Sequence, residues 1–179
     1  MKSKLILLAC IFYLGACQSD TGNKAKIYFD LKGFIDAQIK LLDKTKPAVL
    51  KTVIVGDKKE VKTIKDIDWA KELELFLQAD INKSAYSQSY DNLSENGLKW
   101  YSLKIGEKIP VKKLVIQLND EDIPVQIEAI IQTDNNLYSS EKKLQMNCEN
   151  GHIKSYFIEG YQKVILGDKK TFKILGVMQ

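Results

Sequence analysis

From Leu98 to the C-terminus, segments rich in β-branched and aromatic residues alternate with short clusters of Gly, Asn, Asp and Lys, and this punctuation restricts the fold more than any other feature. Residues 98–105, 111–118, 123–133, 137–148, 152–166 and 171–178 read as strands, the fifth with a break near Gly160. Between them stand Gly106-Glu107-Lys108, Asn119-Asp120-Glu121-Asp122, Asp134-Asn135-Asn136, Asn150-Gly151 and Gly167-Asp168-Lys169-Lys170. Turns this short join antiparallel neighbours, because a parallel connection needs a dozen residues or more. The C-terminal half is therefore predicted to be a meander. Ile123, Val125, Ile127, Ala129 and Ile131 alternate with mainly polar positions, giving that strand one apolar face and leaving the other face mostly wet.

The N-terminal part mixes helical and strand periods. Asp30 is a good N-cap, with Phe29 and Phe34 at the two positions of a hydrophobic staple. Leu31, Phe34, Ile35, Ile39 and Leu42 fall on one face of a helix over 31–44, which Pro47 ends. Residues 49–55 and 61–64 predict a hairpin about Gly56-Asp57-Lys58-Lys59. A second helix follows, with Asp66 and Asp68 as candidate caps and Trp69, Leu73, Phe76, Leu77 and Ile81 at helical spacing. Residues 82–97 lack clean periodicity and read as the longest loop, in which Tyr86 and Tyr90 make a possible contact surface. Residues 53–59 (VIVGDKK) nearly repeat at 164–170 (VILGDKK). Nothing around them extends the match, so it reads as one turn solution used twice.

The first sixteen residues have a different logic. Lys2 and Lys4 precede an apolar run from Leu5 to Leu14, which is too short for a membrane-spanning helix of about 20 residues and fits a secretory signal. The run ends in Leu14-Gly15-Ala16-Cys17, which resembles the lipobox of bacterial lipoproteins. The resemblance implies cleavage before Cys17, lipid on that cysteine and membrane attachment through it. In that family an Asp after the cysteine retains the protein in the inner membrane. Gln18 stands there, which implies the outer membrane. Residues 17–26 then read as a lipidated tether.

Composition excludes several functions. All 27 basic residues are lysine, so the chain has no guanidinium to read guanine edges or clamp phosphates, and its net charge of +4 gives no nucleic-acid footprint. Cys10 leaves with the signal and Cys17 is the lipid site, so Cys148 has no intramolecular partner; alternation places it inside a strand beside Met146 and Leu144. The sole histidine, His152, follows a turn and is expected to be exposed. Neither a zinc motif nor a nucleophile motif occurs. Asp120-Glu121-Asp122 lacks the glycine and spacing of a calcium loop. No catalytic residue, metal ligand or cofactor is therefore assigned.

The expected architecture is α+β: helix, hairpin and helix, then an antiparallel meander of five to seven strands, with the helices packed on one sheet face. Residues 1–16 form the signal, 17–26 the tether and 27–179 a single globular domain. The expected function is a non-catalytic lipid-anchored envelope lipoprotein, an interaction or accessory subunit at the outer membrane, with an envelope protein as partner. The alternative is a carrier of an apolar ligand or lipid, because a sheet capped by helices resembles the half-barrel plan of periplasmic lipoprotein and lipid carriers.

Overall fold

A computed structural model describes residues 26–179. The signal, Cys17 and nearly all of the tether lie outside the described residues. The chain runs α1 (Leu31–Thr45), β1 (Val49–Val55), β2 (Lys58–Ile64), α2 (Trp69–Glu72), α3 (Glu74–Gln78), a 3-10 turn (Ser84–Tyr86), β3 (Tyr90–Glu95), β4 (Leu98–Leu103), β5 (Val111–Leu118), β6 (Pro124–Asp134), β7 (Tyr138–Glu149), β8 (His152–Val164) and β9 (Lys170–Met178). All nine strands form one antiparallel sheet in the order β2-β1-β9-β8-β7-β6-β5-β4-β3.

The expected α+β architecture is corrected by this sheet. Strand accounts for 51% of the structure and helix for 18%, so the fold is β-rich with three short helices. Two sheet elements escaped the sequence. The β1–β2 hairpin joins the meander through β9, with Val53 opposite Ile174. Residues 90–95, expected as loop, form the edge strand β3, whose polar Asp91, Asn92, Ser94 and Glu95 hide its period. The second helix also breaks at Leu73 into two pieces, α2 and α3. No break occurs at Gly160, where β8 continues opposite Phe172. Both edges repel further strands: Lys58, Lys59, Glu60 and Lys62 line β2, and acids and amides line β3.

The helical segments are held by local caps and tie to the sheet at two polar points, Gln38 and Glu72. Asp30 caps α1 through the Gly33 N–H at 2.8 Å, and Lys46 ends it in the left-handed region at φ 45°. In mid-helix, Gln38 donates to Gly151 O at 2.8 Å and accepts from Ile153 N at 3.2 Å, gripping the β7–β8 turn. Beneath α2, Glu72 receives the Lys51 ammonium of β1 at 2.7 Å and the Tyr156 hydroxyl of β8 at 2.5 Å. Burial, and then the neighbouring carboxylate, push the Tyr156 phenol well above its ordinary value. The phenol therefore stays protonated and donates. Before α1, Asn82 brackets the entering chain by accepting from Tyr28 N and donating to Phe29 O. Around these points Trp69, Phe76, Leu31, Ile35 and Leu73 are fully buried with Leu114, Ile116, Ile127 and Met146 of the sheet. Each large side chain so withdrawn from water contributes roughly 1.5–3 kcal/mol. All the buried side-chain polar atoms described have partners, and the buried apolar side chains of residues 26–179 form one cluster.

Tyr156 can reach Glu72 because Gly176, its cross-strand partner on β9, has no side chain; a Cβ there would overlap the phenol ring. Gly176→Ala is accordingly expected to cost about 1–3 kcal/mol, read as a lower urea midpoint at unchanged slope. The α1 cap makes a pH prediction. Burial opposes ionisation of Asp30, but Lys26 and the Gly33 N–H outweigh it and hold the carboxyl below its usual value. The stability it adds is full above the ordinary carboxylate range and is lost as pH falls through the depressed value. Asp30→Asn keeps a cap acceptor without the charge. It should melt earlier than the parent at neutral pH, and the difference should vanish at strongly acid pH.

Candidate interaction face

The sheet has one face under the helical segments and one free of them, and the free face does not follow the wet pattern expected from alternation. Val61, Thr52, Leu175, Phe157, Gln145, Glu128, Val115, Trp100 and Leu93 are successive cross-strand partners, a straight row across all nine strands. Six of these nine are apolar. Val61, Leu93, Trp100 and Leu175 are exposed. On one side the next row is lysine-rich: Lys59, Lys173, Lys143 and Lys113, with Ile54, Glu159 and Ile130 among them. On the other side it runs mainly in amides and hydroxyls: Ser155, Asn147, Gln126 and Gln117.

Local geometry holds this face open and ordered. The Lys113 ammonium lies 4.1 Å from the Trp100 ring centroid, a cation–π contact that fixes both side chains. Lys173 pairs with Glu159 at 3.3 Å, and Asn147 donates to Ser155 Oγ at 3.1 Å. A shallow cleft of about 190 Å³ lies between Lys113, Lys143, Phe157 and Glu159. Such a face offers an apolar stripe with ammonium groups along one margin. It can hold a complementary apolar stripe edged by carboxylates, and it presents no nucleophile and base in contact.

The residues singled out in the sequence fall elsewhere. Cys17 lies outside the described residues. Tyr90 is buried and its hydroxyl donates to Val111 O at 2.8 Å, while burial raises its pKa. Tyr86 is half-buried, and its carbonyl accepts the Tyr28 hydroxyl at 3.0 Å. The two tyrosines thus belong to a cluster in which the Tyr28 ring sits edge-on to Tyr90 and Tyr101, and the Tyr101 hydroxyl accepts from Phe29 N. This cluster fastens the chain as it enters the domain. His152 is exposed at the start of β8. Asp120, Glu121 and Asp122 stand on an exposed turn shaped by Asn119, whose Oδ1 accepts from Glu121 N and Ile123 N. Among the described residues no three His, Cys, Asp or Glu side chains converge as metal ligands would.

The stripe was missed although a signal for it exists. Phe157 between Tyr156 and Ile158, and Val115 between Leu114 and Ile116, break the alternation and mark one apolar residue on the outer face of each strand. A second cleft, about 410 Å³, lies by the chain entry and is lined by Lys26, Asp30, Lys32, Asp80 and Asn82 among others. Most of the residues around it are charged or polar, although the surface they turn inward is more apolar than polar.

Cys148 packs against the core next to a bulge at Asn147, and burial pushes its thiol up to about 12. In the chain from Lys26 onward, where it is the sole cysteine, this partly buried thiol should alkylate far more slowly at neutral pH than a free thiol, and speed up on unfolding. Fast labelling under native conditions would contradict the buried placement.

Neither a family model, nor a curated protein, nor a solved structure matches this chain, and its function is read from its own geometry.

Proposed function

We propose that this chain is a non-catalytic envelope lipoprotein, anchored through lipid on Cys17 at the outer membrane, that serves as an interaction or accessory subunit. The observation that carries the interaction role is the apolar row across the helix-free face. A sheet face that none of the described helical segments covers exposes Leu175 and Val61 toward one edge and Trp100 and Leu93 toward the other, in one cross-strand row. The partner is a protein that lays an apolar stripe along this row and sets carboxylates against Lys113 and Lys143. The anchor rests on the sequence Leu14-Gly15-Ala16-Cys17.

An apolar-ligand carrier has less support. Trp69, Tyr156, Phe76 and Leu31 fill the space between helical segments and sheet, and the clefts described above open to solvent beside charged groups.

Two measurements test the proposal. Cys17→Ala should abolish acylation and accumulate unprocessed precursor; an unchanged mature mass in that variant would overturn the anchor. For the interaction role, a photo-crosslinker placed at Leu175 should capture a specific envelope protein in native membranes, and one placed at Asp120 should not. Trp100→Ser combined with Leu93→Ser should weaken that capture by about tenfold or more, since exposed aromatics dominate such contacts. Capture that is equal from both positions, or indifferent to the double substitution, would refute it.

A further inference from the structure

The two ends of the sheet differ in chemistry. At one end lie the β1–β2 turn, the β4–β5 loop, the β6–β7 turn and the β8–β9 loop, because Val55 pairs with Phe172, Tyr138 with Val164 and Val111 with Ile131. The four most exposed large hydrophobic side chains among the described residues all stand there: Ile105 at 106%, Leu166 at 97%, Leu137 at 73% and Ile165 at 71%. Each stands on a turn or loop; Leu137 and Ile165 border a shallow cleft of about 290 Å³ that they share with Asp134, Asn135 and Lys163, while Ile105 and Leu166 project free. Exposed Lys58, Lys59, Lys108, Lys163 and Lys170 surround them, with Asp57, Glu107, Asp134 and Asp168 interspersed. The turns at the opposite end show no large exposed hydrophobic among the described residues and are rich in acids, with Asp66, Asp68, Asp120, Glu121 and Asp122.

Backbone hydrogen bonds fix the apolar turns beside one another. Ile165 N donates to Leu137 O at 3.1 Å, Gly56 N to Thr171 O at 3.1 Å and Gln132 N to Pro110 O at 2.8 Å. The tips therefore form one ordered platform, where long aliphatic side chains stand forward and ammonium groups ring them. A protein pocket for such separate, protruding tips would need several deep cavities. A bilayer needs none, since its acyl boundary accepts apolar side chains at any spacing while its anionic headgroups attract lysine.

We propose that this end of the sheet docks onto an anionic lipid surface, with Ile105, Leu137, Ile165 and Leu166 entering the acyl boundary and the lysines meeting headgroups. The placement of the chain entry agrees with it. Tyr28 packs against Tyr90, the first residue of β3 at this same end, and the nine residues from Cys17 to Lys26 span up to about 30 Å. A lipid on Cys17 and the turn tips can thus reach one membrane. The domain would stand with its strands upright, its acidic end away from the lipid and the apolar row of the free face accessible from the side. The docking deepens the proposed envelope role yet does not require the lipid anchor.

The test uses the chain from Lys26 onward, which leaves out Cys17 and keeps the single cluster of buried side chains. It should sediment with vesicles of equal parts phosphatidylethanolamine and phosphatidylglycerol, less with phosphatidylcholine alone, and less again in high salt. Leu166→Ser combined with Ile105→Ser should lower the partition by about tenfold or more, because each apolar side chain returned to water carries roughly that factor. Trp100→Ser with Leu93→Ser, on the free face, should leave it unchanged, and thermal melting of each variant confirms the fold. Absence of binding to anionic vesicles would overturn the proposal and leave a protein as the occupant of this end. Binding indifferent to the Leu166 and Ile105 substitutions would overturn it equally. Neither result bears on acylation of Cys17, which the full-length variant reports separately.

Discussion

Glu72 is the pivot of the structure. The segment from β2 to β3 must carry the chain from one edge of the sheet to the other, past seven intervening strands spaced about 4.8 Å apart. Short helical pieces such as α2 and α3 have little stability of their own, since a helix needs roughly twelve residues before it persists alone. What holds the crossover down is one carboxylate that meets a cation from β1 and a phenol from β8. Those strands flank β9, so the same contact also spans the seam where the N-terminal hairpin joins the meander. A carboxylate this enclosed is costly unless partnered, and removing either partner costs more than its own bond. Gly176 in the strand between them supplies the space that the contact requires.

The two broad surfaces of the sheet divide the work of folding from that of association. The covered face holds the large buried side chains and the polar anchors. Strands β5 and β8 each set one apolar residue, Val115 and Phe157, into the outer face between polar or charged neighbours. Keeping Phe157, Leu175 and Trp100 at the surface risks self-association. Lysines beside the row and charged edges on β2 and β3 limit that risk without covering the stripe.

Much of this could be read from the residues. The turn punctuation gave the six C-terminal strands within one to two residues at most boundaries, and α1 emerged with its cap and its stop, because those signals are local. The sheet's closure was not legible, because nothing near Val53 or Ile174 says that they meet across 121 residues of chain. Edge strand β3 was lost because edges favour polar residues, which erase the period that identifies a strand. The tyrosines of 86–90 looked like a contact loop from composition alone. Tertiary folding adds what composition could not show, the partners of the Tyr90 hydroxyl and the Tyr86 carbonyl at the chain entry. The apolar row was visible only as an excess of hydrophobic residues in β5 and β8, and its straight course needed the register. The near-repeat is a further lesson: VIVGDKK makes a two-residue turn at Gly56, φ 57°, while VILGDKK opens into a wider loop before Lys170. Flanking registers, not the shared letters, decide which turn forms.

The pairing of β1 with β9 has a temporal consequence. A strand finished near residue 55 finds its inner neighbour only when residues 170–178 have been made. Until then the hairpin can hold only itself, and two strands alone are marginal in water. Closing so long a loop is also slow. The ninth strand is thus the one that locks the first, and the sheet stays incomplete until residues 170–178 have been made. Strands β3 to β8, whose partners follow one another in the chain, can pair as they emerge, so the seam at β9 is where the sheet is completed.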